Sequence, residues 1–210
     1  NEIMCIIVIN GREIPNESKM ISELTSKFSS IKTIVKNINT KNTNVILGNE
    51  NINLYGDGYI TDKLGDYTFK ISPMSFYQVN PIQAERLYEL GVKFADITKE
   101  DVVFDLYCGI GTISLFMSKF AKKVYGVEIV DEAIIAAKEN ARINNVYNTE
   151  FIAGDVEKVL DNLVNVKQII PDIIMVDPPR RGLDNTSIEN IKKVLPKKLV
   201  YISCNPATLV

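Results

Sequence analysis

Histidine and tryptophan are both absent from these 210 residues. Without histidine, every triad or metal centre built on imidazole is excluded, and carboxylates, thiols or a bound cofactor must carry any acid–base chemistry. Cysteine is scarce. Cys5, Cys108 and Cys204 stand far apart, an odd number with no CxxC spacing, so neither a disulfide framework nor a metal site is expected and a reducing, cytoplasmic setting follows. No apolar run approaches the ~20 residues of a membrane helix, and the start, Asn1-Glu2, lacks the basic and apolar regions of a signal peptide. An excess of one charge is missing as well: 24 basic against 26 acidic side chains leave a net charge of −2. Nothing therefore draws the whole surface to nucleic acid, and an RNA binder of this composition needs local basic patches. Lys119, Lys122 and Lys123, like Lys192, Lys193, Lys197 and Lys198, read as solvated helix ends that favour the helix dipole.

What is present is a chain that is 46% hydrophobic, enough for one good core and a smaller second one. The pattern divides it unequally. Residues 1–70 read as a small α+β unit. It has an apolar strand over 3–9, a helix from Asn16 to Phe28, strands over 33–38 and 43–47, a turn at Tyr55-Gly56-Asp57-Gly58-Tyr59 and an alternating strand from Asp66 to Ile71. Residues 71–210 alternate strand and helix. Strands are expected at Val102–Asp105, Lys123–Glu128, Glu150–Ala153, Asp172–Asp177 and Leu199–Ser203. Helices are expected near Pro81–Phe94, Thr112–Phe120, Asp131–Asn144, Asp155–Leu163 and Asn185–Leu195. Repeated β-α units imply a doubly wound parallel sheet with right-handed crossovers. The expected fold class is α/β, a Rossmann-like sheet that lacks its last strands, since an open sheet of this kind commonly carries more strands beyond the fifth.

Three strand exits carry the chemistry. Asp105-Leu106-Tyr107-Cys108-Gly109-Ile110-Gly111-Thr112 follows an apolar strand and opens a helix, so Gly109 and Gly111 let backbone approach a ligand. The third glycine of a dinucleotide fingerprint is replaced by Ser114. Glu128 ends the next strand, where a carboxylate can accept both hydroxyls of a ribose. Asp155 follows the third strand, where it serves either an adenine edge or a helix N-cap, two readings that stay open. Together these suit an adenosyl cofactor without a pyrophosphate, S-adenosyl-L-methionine. Asp177-Pro178-Pro179-Arg180-Arg181-Gly182 is a rigid turn that aims an acid into the crevice, with Arg180 and Arg181 beside it. Cys204 closes the last strand exit, in Ser203-Cys204-Asn205-Pro206. From spacing alone it is a core thiol or a nucleophile. Cys5 and Cys108 read as small buried residues.

The series Ser72-Pro73-Met74-Ser75-Phe76-Tyr77-Gln78-Val79-Asn80, Asp105 to Thr112, Asp177 to Gly182 and Ser203-Cys204-Asn205-Pro206-Ala207-Thr208-Leu209 resembles the successive signatures of the RNA uracil-5 methyltransferases, nearest to the 23S ribosomal RNA branch. The resemblance implies a methyltransferase that uses S-adenosyl-L-methionine on an RNA substrate. Gln78, Tyr107, Glu128 and Asp177 match positions that bind the cofactor or border the transfer site, and Cys204 matches the nucleophile that adds to carbon-6 of uracil. Arg180 and Arg181 are expected to contact substrate. The family's general base, a glutamate downstream of the cysteine motif, its N-terminal RNA-binding barrel and its cluster-binding cysteines have no counterpart in residues 1–210. The expectation is therefore a fragment with no metal or iron–sulfur cluster, weakly active or inactive alone. Three alternatives stay open: a transfer RNA uracil-5 methyltransferase, an amino-methyltransferase, and a catalytically silent cofactor- or RNA-binding module. Arg180, standing where an amino-methyltransferase needs an aromatic side chain, and the thiol of Cys204 count against the amino-methyltransferase.

Overall fold

A computed structural model describes residues 2–203 together with Asn205 and Ala207. The chain divides into two compact units, one reaching to Lys63 with Thr68–Ser75 added, the other formed by Leu64–Tyr67 and the stretch from Phe76 onward.

In the first unit β1 (Ile3–Ile9) and β2 (Ile31–Ile38) are parallel and joined by α1 (Glu17–Lys27), and β3 (Glu50–Tyr55) pairs antiparallel with β2. A hairpin follows, β4 (Ile60–Leu64) and β5 (Tyr67–Ile71). The central strand β2 is buried through its last six residues, including Lys36, whose ammonium is held 2.8 Å from Glu17. The strand expected at 43–47 does not form. Asn39 Nδ2 donates to the carbonyls of Val45 and Ile46, whose side chains are 63% and 77% exposed, and this ties the segment into a loop. Local apolar character had suggested a strand there, but β2 finds its partner in Glu50–Tyr55. Cys5 is half-buried on the edge strand β1, not fully buried as its apolar context suggested.

The second unit holds the parallel sheet. Its elements run α2 (Pro81–Ala95), β6 (Val102–Leu106), α3 (Thr112–Ser118), β7 (Lys123–Glu128), α4 (Asp131–Ile143), β8 (Thr149–Ala153), α5 (Val156–Asp161), a π-helical turn (Asn162–Val166), β9 (Ile173–Val176), α6 (Asn185–Val194) and β10 (Lys198–Tyr201). Strand order is β10-β9-β6-β7-β8, every neighbour parallel. The central strands are near-continuous apolar runs because helices cover both faces. Phe104, Leu106, Val127, Ile174 and Val176 pack on one face against Leu160 and Leu163 and, from α6, Ile191. On the opposite face Ser114 of α3 hydrogen-bonds the buried Asp105. Helix boundaries follow local chemistry: Asn80 caps α2 by accepting the Gln83 N–H at 3.1 Å, with Pro81 in the first turn. The helix expected over 155–163 is interrupted, its second half winding as the π turn that buries Leu163.

Gly126 marks where the sheet is tightest. A Cβ there would lie 2.5 Å from Phe151 Cδ1 and 2.9 Å from Cys108 Sγ. Both neighbours are buried. Gly126→Ala is therefore expected to cost about 1–3 kcal/mol by overpacking, read as a lowered urea midpoint with an unchanged slope.

Candidate functional site

The strand order reverses between β6 and β9, the two neighbours that are joined to opposite halves of the sheet. Open α/β sheets bind ligands at that point, beyond the strand carboxyl ends, and those expected site residues of the second unit that are among the described residues gather there or on the adjoining strand ends.

The chain leaves β6 in a bend made by two consecutive amides, since the Tyr107 and Cys108 N–H groups both donate to the Val127 carbonyl at 2.9 and 3.0 Å. This sets Tyr107 at φ +71°, a left-handed conformation that an L-residue holds only where its surroundings impose it. Gly109 and Gly111 follow at φ +54° and +84°. Gly111 opens α3 and its missing side chain leaves room for Phe151 and Ala137. At Gly109 a Cβ would meet nothing within 4 Å, so the backbone here borders open space. Glu128, at the end of β7, reaches across: its Oε2 accepts the Gly109 N–H at 3.2 Å and its Oε1 the Val130 N–H at 3.1 Å. Each carboxylate oxygen keeps a second lone pair, so the pair can still accept from a diol lying over Gly109. Asp155 caps α5, accepting the Glu157 N–H at 3.1 Å on Oδ1.

Asp105 is fully buried. Its Oδ2 takes the Ser114 hydroxyl, while Oδ1 has no partner among the described residues. Burial pushes this carboxyl up to about 7, and the charges of Asp177 and Glu128 add to the rise against the Ser114 hydroxyl. Asp177 follows β9, its N–H 3.4 Å from the Leu106 carbonyl, and burial raises its carboxyl to about 6. Burial thus raises the proton affinity of both acids at this end of the sheet, a pattern met at functional sites. Tyr88 of α2, 3% exposed, lies near enough to feel the charge of both. Burial pushes its hydroxyl up and the Thr112 side chain draws it down; Asp177 and Asp105 raise it further and the Gln78 side chain lowers it, which brings Gln78 to the same cluster.

The Pro179–Gly182 turn closes through the Gly182 N–H to the Pro179 carbonyl at 2.8 Å and presents Arg180 and Arg181 to solvent. Cys204, the expected nucleophile, lies outside the described residues. Cys108 does not replace it, because burial, then Asp105 and Glu128, hold its thiol well above the ordinary range, and a protonated thiol is not a nucleophile. The residues brought together are thus Gln78, Asp105 and Asp177 around Tyr88, and Tyr107, Gly109, Gly111 and Glu128 around the glycine turn. Asp155 stands at the next strand end with one oxygen engaged as a cap.

Sequence reading missed Tyr88, Ser187 and Asp184. Tyr88 continues the buried stripe Ala84, Tyr88, Gly91, Ala95 and is indistinguishable from core by periodicity. Asp184 was legible as an acid three residues before Ser187 at a helix start, and it does cap α6 by accepting the Ser187 N–H at 2.8 Å. Among the described residues no group of three or more histidine, cysteine, aspartate or glutamate side chains is placed to hold a metal ion, and no helix is long and apolar enough to cross a membrane.

Comparison with known proteins gives the same direction. The profile of the family described as tRNA (Uracil-5-)-methyltransferase matches residues 1–210. A Clostridium tetani protein described as an uncharacterized RNA methyltransferase is 48% identical over 208 residues, and one from Clostridium acetobutylicum 49%; each match covers 99% of this chain and 45% of the relative. The chain therefore spans less than half the length of these relatives. Among solved structures, the Pyrococcus abyssi tRNA (uracil-54, C5)-methyltransferase in complex with S-adenosyl-L-homocysteine superposes with a TM-score of 0.76 at 28% identity, covering 99% of this chain and 48% of that one. The Methanocaldococcus jannaschii tRNA m1G37 methyltransferase, at 20% identity and a TM-score of 0.55, shares the fold.

Proposed function

The chain belongs to the tRNA (uracil-5-)-methyltransferase family, and on that premise we propose that it carries the cofactor site and the nucleophile of an enzyme that methylates carbon-5 of a uridine in RNA. The observation that carries this reading is the strand-end arrangement itself: open space over Gly109, the Glu128 carboxylate beside it, and the Asp105–Asp177 acids at the switch point. That donor set fits a nucleoside bearing a cationic tail and lacks the pyrophosphate cradle of a dinucleotide fold.

S-adenosyl-L-methionine, when bound, supplies an electrophilic methyl group. Glu128 would receive the ribose hydroxyls, Gly109 and Gly111 give the backbone clearance, and Tyr107 and Asp155 flank the nucleoside. Gln78 and Asp177 border the place of transfer. Cys204 as thiolate adds to carbon-6 of uracil, forming a C–S bond and moving the electron pair to the carbon-5 side, which makes that carbon nucleophilic toward the methyl group. Once carbon-5 has taken the methyl group, loss of its proton to a base re-forms the C5–C6 double bond and expels the thiolate. A base inside an RNA stack must leave it to reach such a crevice, and Arg180 and Arg181, both exposed, would hold backbone phosphate.

Two RNA classes fit. The motif resemblance favours 23S ribosomal RNA, and the superposition on a transfer RNA enzyme favours transfer RNA. Covalent trapping on 5-fluorouridine versions of each, compared in one assay, separates them without requiring turnover. The cofactor reading is tested by calorimetric titration with S-adenosyl-L-methionine. Saturable binding is expected, and Glu128→Ala, which removes charge-assisted hydrogen bonds of about 1.5–3 kcal/mol each, is expected to weaken it roughly 100-fold or more. An unchanged affinity in the variant overturns the ribose assignment.

A further inference from the structure

Ser187 lies in the first turn of α6, 1% exposed, and takes no part in the chemistry described so far. Its hydroxyl is 3.3 Å from Asp184 Oδ2 and 3.3 Å from the Tyr107 hydroxyl. A carboxylate only accepts, so Ser187 donates to Asp184 and is left to accept from Tyr107. The order of donation is fixed: Tyr107 to Ser187 to Asp184.

This chain of bonds closes a frame. The segment Asp177–Asp184 carries the Arg180–Arg181 turn between β9 and α6. Its first residue donates its backbone N–H to the Leu106 carbonyl at 3.4 Å, and its last is joined through Ser187 to the side chain of Tyr107. Both ends of the basic turn are therefore attached to the two residues that enter the glycine turn. Tyr107 itself is held at φ +71°, a conformation its backbone keeps only under constraint, and the Arg181 charge is near enough to draw the Tyr107 hydroxyl down against the rise caused by burial.

The geometry points to Ser187 as a positioning residue: by accepting from Tyr107 it ties the Arg180–Arg181 turn to the glycine turn, so that filling the cofactor site fixes the basic turn that meets RNA. The inference rests on the cofactor reading above. It deepens that reading by giving order to the reaction, cofactor first and RNA onto a settled turn.

Trypsin reads the turn directly, because Arg180 and Arg181 are exposed and are themselves its cleavage sites. The protein is digested with and without saturating S-adenosyl-L-homocysteine, saturation being checked by calorimetry, and the cut at 180–182 is timed by mass spectrometry. In the unaltered chain the ligand is expected to slow this cut by about tenfold, as a locally opening segment becomes held. In Ser187→Ala, still saturated, the protection is expected to fall below about twofold, while Ser187→Thr, which keeps the hydroxyl, restores it. Tyr107→Phe deletes the same bond from the other end, so a folding defect at Ser187 leaves a second measurement standing. Equal protection in the variants, or none in the unaltered chain, overturns the inference while the cofactor reading stands; failure of the unaltered chain to bind the ligand rejects the cofactor reading and the inference with it.

Discussion

Cys204→Ala is expected to abolish the covalent adduct with RNA containing 5-fluorouridine in the presence of S-adenosyl-L-methionine, to less than about a thousandth of the parent yield, the scale seen when a nucleophile is removed from a working unit. The reason is electronic. Carbon-5 of uracil takes a methyl group only after a nucleophile has added to carbon-6, and fluorine at carbon-5 leaves no proton whose loss could expel the sulfur, so the adduct accumulates. Trapping therefore reports the thiol without requiring the proton-abstracting base, and the 210-residue chain can be used as it is. The competing thiols are distinguishable on physical grounds. Cys108 is buried beside two carboxylates that hold it protonated, and Cys5 sits on an edge strand of the other unit. Cys108→Ala is expected to keep the adduct. An adduct that survives in Cys204→Ala and vanishes in Cys108→Ala would reverse the assignment.

The second large effect concerns stability. Asp105 is raised to about 7 and Asp177 to about 6, from 3.8 for each when unfolded. A carboxyl raised by folding is protonated more readily in the native state, so the native state binds more protons than the unfolded chain between these values. Stability then declines with rising pH. The contribution is fully present below pH 3.8 and is lost as the pH climbs through about 6 for Asp177 and about 7 for Asp105. For Asp105, a rise of about three pH units corresponds to on the order of 4 kcal/mol, and half-buried Asp177 contributes less because solvent screens it. Carboxyls lowered by partners, such as Asp172 beside Lys197, act with the opposite sign, so the whole-chain curve mixes both. Asp105→Asn isolates the one group. It keeps a hydrogen-bonding partner for Ser114 and cannot ionise. Urea unfolding at pH 4.5 and pH 8 should show the variant near the parent at the lower pH and more stable by a few kcal/mol at the higher. Parallel curves for the two proteins would mean that Asp105 is not the buried charge it is taken to be.

Much of the second unit was legible in the order of its residues. Short apolar runs between helical patterns fixed five parallel strands to within a residue or two, because strands covered on both faces are near-continuously apolar. The first unit was less so. The segment 43–47 is apolar enough for a strand, but the pairing of β2 is decided by which later segment can lie alongside it, and hydrogen bonds from Asn39 hold 45–46 in a loop.

The site divides in the same way. Sequence alone determined the chemical types and their order along the chain: the glycine turn, the acid at each strand exit, the Pro-Arg turn, the late cysteine and the family they belong to. These depend on local backbone requirements and on residue identity. Tertiary structure decided the rest. That Asp105 is buried with one oxygen unpartnered among the described residues, that Tyr88 lies near it and Asp177, and that Ser187 joins the glycine turn to the basic turn all follow from elements distant along the chain meeting at one switch point. Desolvation and hydrogen bonding act through space, and no spacing along the chain encodes them.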